Sequence, residues 1–192
     1  MVRAIVLAGG ESRRMGQNKA LLSLYGKPMI THVVEEIERF TSSIVISTNE
    51  PNLFSFLSYL KVEDHYKGLG PLAALESAMA QSEEEWFLVA ACDMPFINHK
   101  IYNEVFQNRG LYKAVVPVYD GRIQPMSALY HKDLYPLIVQ LLEANNLRMV
   151  DLLNLTSTNY FSSFSNNINK DEMEKHFINL NYPDQYKKWQ TK

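Results

Sequence analysis

Short, unbroken apolar runs recur along this chain, with helix-patterned stretches between them. RAIVLA (3–8), SIVIST (43–48) and WFLVAA (86–91) are brief, rich in Val, Ile, Leu, Phe and Ala, and bounded by polar or turn residues. That pattern suits strands buried on both faces. Between them, PMITHVVEEIERF (28–40) places Ile30, Val33, Val34 and Ile37 at i, i+3, i+4 and i+7, one face of a helix. Strands alternating with helices confine the chain to a layered α/β fold with a mostly parallel sheet.

The remaining segments extend the alternation. Pro51 starts a short helix to about Leu57, and LKVE (60–63) is a weak strand. Pro71 suits the first turn of a helix reaching about Gln81, because proline has no amide proton to leave unsatisfied there. A helix over 98–108 has Asn98 as its cap. Strands follow at 113–119 and 125–130, then a helix over 132–146 despite an internal proline, and a short one at MVDLLN. Residues 157–173 read as an irregular excursion around a short strand, FINL (177–180) as a strand, and 183–190 as a last helix. No repeat or linker interrupts the chain. The expectation is a single Rossmann-like three-layer domain over 1–192, with a nucleotide-binding half to about residue 100 and an acceptor-binding half beyond it.

Bulk properties narrow the partners. The length of 192 residues allows a real hydrophobic core. A net charge of -2 gives no electrostatic footprint for nucleic acid. No apolar run approaches the ~20 residues that span a bilayer, and AIVLA is shorter than the about 7–15 residues of a signal-peptide core. A single cysteine, Cys92, excludes an internal disulfide and a cysteine-rich zinc site. Together these predict a cytoplasmic protein with no nucleic-acid or membrane partner.

The polar features gather where such folds bind ligands, beyond the carboxyl ends of the strands. AGGESRRMGQNK follows the first strand, STNE ends the second, EDHYKGLG follows the third, and CDMP ends WFLVAA. In the first loop, Gly9 and Gly10 permit positive φ and close backbone approach, and Arg13, Arg14 and Lys19 add positive charge. The spacing fits neither G-x-x-x-x-G-K-[ST] nor G-x-G-x-x-G. The lysine lies farther along than in the first of these and is not expected against a helix start. Phosphate binding is the favoured reading, and a tight turn with solvated arginines is its alternative.

The stretch LAGGESRRMGQNKALL resembles the signature L-A-G-G-x-S-x-R-M-G-x-x-K-A-L-L of nucleotidyltransferases that transfer a nucleoside monophosphate from an NTP. Within that superfamily the short form resembles the molybdenum cofactor guanylyltransferases, the MobA family. The resemblance implies that Leu7, Ala8, Gly9 and Gly10 hold the nucleotide by backbone amides. It also implies that Lys19 stabilises the α-phosphate and Arg13 the departing pyrophosphate. Asp93 in the C-D-x-P segment would bind magnesium; on the sequence alone, capping the helix near Asn98 is its alternative. The segment around Asp64, Gly70, Pro71 and Leu72 resembles the loop associated with base and ribose, with Ala74 where the family has its second glycine. Asn49 matches an asparagine at the base-binding edge.

GRIQPMSALY resembles a family segment lining the acceptor side. It makes Gln124 an acceptor contact and Arg122 either a phosphate partner or an exposed turn arginine. Arg148 falls where the family has basic residues near the acceptor. FINLNYPDQ resembles F-x-N-x-N-T-P-E-D, with Tyr182 replacing the threonine. Asn179 then belongs to the acceptor side, and Asn181 is a direct or indirect magnesium ligand. The five histidines show no metal-ligand spacing, and Cys92 reads as a small buried hydrophobe.

The resemblance implies transfer of GMP from GTP to the phosphate of molybdopterin or Mo-molybdopterin, with Mg2+, release of pyrophosphate, and transient contact with molybdoenzymes or cofactor-delivery proteins. Three other readings stay open: a molybdopterin cytidylyltransferase, a sugar-phosphate nucleotidyltransferase, and a nucleotide-binding regulatory protein without catalysis.

Overall fold

The computed structural model describes residues 1–9, 18–182, 185, 186 and 189. The chain enters through β1 (Val2–Leu7), a one-turn 310 helix (Lys19–Leu21), and a hairpin of β2 (Ser23–Leu24) and β3 (Lys27–Pro28). It continues through α1 (Met29–Ile37), β4 (Ile44–Ser47), a 310 turn (Pro51–Phe54), β5 (Leu60–Val62), α2 (Pro71–Ala80), β6 (Trp86–Ala91) and α3 (His99–Gln107). The second half comprises β7 (Ala114–Tyr119), β8 (Arg122–Ile123), β9 (Ser127–His131), α4 (Tyr135–Glu143), α5 (Met149–Asn154), β10 (Thr158–Phe161) and α6 (Lys170–His176).

The main sheet runs β10-β7-β9-β6-β1-β4-β5, with β8 paired to β7. β1 pairs in parallel with both β4 and β6, and β4 with β5. β9 is antiparallel to both β6 and β7, and β10 is parallel to β7. The sheet is therefore mostly parallel, as expected, with one reversed strand between its halves.

Strand alternation builds a core on each face. Ala4 and Val6 of β1 join Leu88 and Ala90 of β6 beneath α1 and α3. Ile5 and Leu7 join Phe87 and Val89 beneath α2, α4 and α5. All of these side chains are buried. A third, smaller cluster of Leu22, Leu24, Met29, Leu180 and Tyr186 fastens the C-terminal segment to the β2–β3 hairpin.

Several expectations change in physically informative ways. FINL is not a strand. Phe177 caps α6, and the Leu180 N–H donates to the Asp93 carbonyl (2.8 Å) instead of to a strand neighbour. The excursion at 157–173 holds β10 but ends in α6, whose start is a capping box between Asn169 and Glu172. The internal proline of 132–146 is resolved by a 310 turn (Lys132–Leu134), which puts Pro136 in the first turn of α4. The unforeseen β2–β3 hairpin turns on Tyr25 (φ 49°) and Gly26 (φ 81°), the left-handed pair of a tight hairpin. Of the last expected helix, 183–190, Gln185, Tyr186 and Trp189 are helical; its other residues lie outside the described ones.

Candidate active site

The carboxyl ends of β1, β4 and β6 open onto a cleft of about 810 Å3. Its walls include Leu7, Ala8 and Gly9 after β1, Lys19 from the first 310 turn, and Ser47 and Asn49 after β4. Asp64, Gly70 and Pro71 come from the β5–α2 connection, Cys92 and Asp93 from the end of β6, and Asn179 from the C-terminal segment. The volume lies in the range of small-molecule and cofactor sites. Gly10 and Arg13 lie outside the described residues.

The first loop is built differently from its sequence reading. The Ala8 N–H is spent on the Ser47 carbonyl (2.9 Å), and the Leu7 carbonyl accepts from the Cys92 N–H (3.1 Å). Ala8 thus forms wall, with its amide already committed. Gly9 does not have positive φ; a Cβ there would stand in open space, with nothing within 4 Å. Its value is room beside the cleft. Lys19, contrary to expectation, begins a one-turn 310 helix whose cap is Asn18, the Asn18 side chain accepting from the Ala20 N–H.

On the next edge, Asp64 and Asn49 grip one another. Asn49 Nδ2 donates to Asp64 Oδ2 (3.0 Å), and the Asp64 N–H donates to Asn49 Oδ1 (3.1 Å). Ser47 Oγ also donates to Asp64 Oδ1 (3.3 Å). Burial pushes the Asp64 carboxyl above its ordinary value, against the opposing pull of these hydrogen bonds. Gly68 and Gly70 both have φ +79°, and Gly70 with ψ -159° occupies a region essentially reserved for glycine. These two residues bend the connection into Pro71 at the start of α2. Leu72 is fully buried in the core, so its side chain does not border the cleft.

Asp93 is half-buried, and burial raises its carboxyl above the ordinary range, opposed by the charge of Lys19. The helix-cap alternative falls away, because Asn98 itself accepts from the Lys100 N–H (2.9 Å). Asn181 Oδ1, the atom a metal would take, accepts from Lys19 Nζ (2.9 Å). Burial, with the Asp93 charge beside it, pushes the Cys92 thiol up to about 12, consistent with an inert wall residue.

The acceptor residues divide. Asn179 borders the cleft, and Gln124 lies in the segment leading to Met126, which also borders it. Gln124 holds its own turn, its N–H donating to the Pro117 carbonyl (2.9 Å). Arg122 is exposed beyond the Asp120–Gly121 turn, and Arg148 is paired with Asp151 (2.7 Å); neither borders the cleft among the described residues. Sequence reasoning missed Ser47, Asn18 and Met126. Ser47 was legible as a polar residue ending an apolar strand, whereas Met126 carried no signal.

Asp93, in a cleft with Lys19 and room for phosphates, fits magnesium, which takes one or two carboxylates and completes its shell with phosphate and water oxygens. Among the described residues no group of three His, Cys, Asp or Glu side chains forms a ready-made metal cage. An ion here would depend on the nucleotide for further ligands.

A sheet with its strand ends opening onto a polar, glycine-walled cleft defines a nucleotide-binding α/β protein. Residues 4–155 match the model of the MobA-like NTP transferase domain. A probable molybdenum cofactor guanylyltransferase of Bacillus cereus (strain G9842) is 34% identical over 188 residues, covering 95% of this chain and 92% of the relative. One from Carboxydothermus hydrogenoformans is 31% identical over 185 residues, with the same coverage of 95% and 92%. The crystal structure of molybdopterin-guanine dinucleotide biosynthesis protein A from Archaeoglobus fulgidus superposes with a TM-score of 0.83 at 25% identity, covering 99% of this chain and 97% of that one. The chain belongs to the MobA-like NTP transferase family.

Proposed function

We propose that this protein is a molybdenum cofactor guanylyltransferase, transferring GMP from GTP to the phosphate of molybdopterin or Mo-molybdopterin with release of pyrophosphate. It would act in the cytoplasm and pass its product on through transient contact with a molybdoenzyme or delivery protein. The observation that carries the reading is the convergence of Lys19, Asn49, Asp64 and Asp93 on one cleft, in a chain 34% identical to a relative bearing that name.

The chemistry follows from the groups present. A phosphate monoester has its second pKa near ~6, so the attacking oxygen is already anionic at neutral pH and needs no general base. What remains is in-line positioning and neutralisation of charge at the α-phosphorus. Lys19 Nζ supplies charge at the cleft floor, oriented by Asn181. Asn49 and Asp64 form the polar wall that receives the nucleoside, and Asp64 can accept from the exocyclic amine and ring N–H of a guanine. Leu7, Ala8 and Gly9 shape the phosphate channel, and Gly10 and Arg13 follow them in sequence. Asn179 and Gln124 stand on the acceptor side. Asp93 would hold Mg2+, which when bound contributes charge neutralisation at the phosphates.

Calorimetric titration with GTP, CTP, ATP and UTP in magnesium tests the base, and tightest binding of GTP is expected. A preference for CTP overturns the guanylyl assignment. Pyrophosphate release with purified molybdopterin and GTP tests catalysis, and GTP binding without release would make this a binding module.

A further inference from the structure

Glu76 is a carboxylate set in the apolar run PLAALESAMA and only 2% exposed. Its neighbours on α2, from Leu72 to Met79, are buried as well. A hydrophobic residue would fill that place without the desolvation cost of an acid. The carboxylate is retained among donors from three different elements. His65 Nδ1 lies 3.1 Å from Oε2, the Ser77 hydroxyl donates to Oε2 (3.0 Å), and the Tyr135 hydroxyl donates to Oε1 (3.0 Å). The His65 backbone N–H in turn donates to Ser77 Oγ (2.8 Å).

These bonds meet at the residue next to Asp64. Residues 64 and 65 are thereby held from opposite sides: Asn49 and Ser47 grip Asp64 from the cleft, and Glu76 with Ser77 grips His65 from behind. The chain then runs past Tyr66, packed on the α2-side core, to the glycines that return it to Pro71. Tyr135 opens α4, so the same carboxylate joins this connection to the acceptor half.

We propose that Glu76 is a positioning residue for the nucleoside. Through His65 and Ser77 it sets the Asp64–Gly70 connection, and so governs affinity for the base and ribose and not for the phosphates. This rests on the cleft being the GTP site. The bonds that His65 and Ser77 make end at the Asp64–Gly70 connection, whereas Lys19 is held by Asn181 and β1 by its pairing with β4 and β6.

The test compares wild type with Glu76→Leu, Glu76→Gln and Ser77→Ala, measuring calorimetric Kd for GTP and for inorganic triphosphate, thermal melting, and turnover. Loss of a hydrogen-bonded buried carboxylate predicts about tenfold weaker GTP binding in Glu76→Leu. A smaller loss is expected in Glu76→Gln, which keeps one acceptor oxygen. Triphosphate affinity and kcat at saturating GTP should stay within about twofold of wild type, the signature of lost ground-state binding. Unchanged GTP affinity in a folded Glu76→Leu protein overturns the proposal, as does equal weakening of GTP and triphosphate. Should Glu76→Leu fail to melt cooperatively, Ser77→Ala, which removes a single oxygen, decides by the same comparison. A wild-type protein that binds triphosphate but not GTP overturns the nucleotide reading itself.

Discussion

Lys19 Nζ donates to Asn181 Oδ1 at 2.9 Å, joining residues 162 positions apart. Asn181 is itself held, since its N–H and that of Tyr182 both donate to Gln185 Oε1 (2.8 and 3.1 Å). Just before it, the Leu180 N–H holds the Asp93 carbonyl, and just after it the Tyr186 hydroxyl holds the Ser23 carbonyl. The C-terminal segment is thus a strap across both the lysine and the aspartate of the cleft.

Asn181→Ala should leave Lys19 without this orienting acceptor. Kcat/KM is expected to fall about tenfold, the scale of one hydrogen bond to a charged group, with little change in melting temperature because Asn181 is only partly buried. Steady-state kinetics beside a thermal melt separate the two effects. A wild-type kcat/KM would remove Asn181 from the proposed machinery.

Lys19→Ala and Asp93→Ala are each expected to cost at least ~100-fold in kcat/KM, as for loss of one electrostatic stabiliser. Pyrophosphate release with GTP and molybdopterin measures this. Near-normal turnover in either variant would refute its assigned role.

Gly70 combines φ 79° with ψ -159° at the entrance to α2. A Cβ there meets no neighbour within 4 Å, so the penalty of Gly70→Ala is conformational and not steric crowding. We expect a loss of about 1–3 kcal/mol by denaturant unfolding together with weaker GTP binding. Full stability in the alanine variant would show that the connection can adopt another path.

His176 is fully buried, and burial pushes its pKa down to about 3. Its Nδ1 accepts from the Asn98 N–H (2.9 Å), so the neutral ring carries its proton on Nε2, facing Ser127 Oγ at 2.8 Å. The unfolded chain takes up a second ring proton near pH 6.5 and the folded one only near 3. Its contribution is therefore complete above about pH 6.5 and is lost as pH falls toward 3, with a limiting slope of about 1.4 kcal/mol per pH unit. Chemical denaturation should show His176→Gln less stable than wild type at pH 7.5, with the gap narrowing at pH 5. A gap that stays constant with pH would count against a buried neutral histidine.

Much of this architecture was legible from local chemistry. RAIVLA, SIVIST and WFLVAA are apolar on both sides, and strands of that kind need a covered, mostly parallel sheet. Pro51, Pro71 and Asn98 marked helix starts because an amide-less residue or a side-chain acceptor suits the first turn. Ligand residues at strand ends then had to share one edge. FINL failed because short apolar runs look alike whether they pair in a sheet or, as here, lie across one. The capping box at Asn169 and Glu172 is written in the sequence as an N-x-x-E spacing inside a polar stretch.

Other properties had no local signature. Arg122 and Arg148 carry suitable charge, but both are exposed, Arg148 pairs with Asp151, and neither borders the cleft among the described residues. Ala8 lies in the right loop, yet its amide is committed to a neighbouring strand. Asn181 carries the amide oxygen expected of a direct or indirect magnesium ligand, but nothing local showed that this oxygen accepts from Lys19. Glu76 gave no hint beyond being an acid in an apolar helix. Local sequence governs backbone preference and which faces must be buried, so it specifies elements, layers and the edge where ligands bind. Which donor satisfies which acceptor depends on distances between segments far apart in the chain, and those distances exist only once the sheet has assembled.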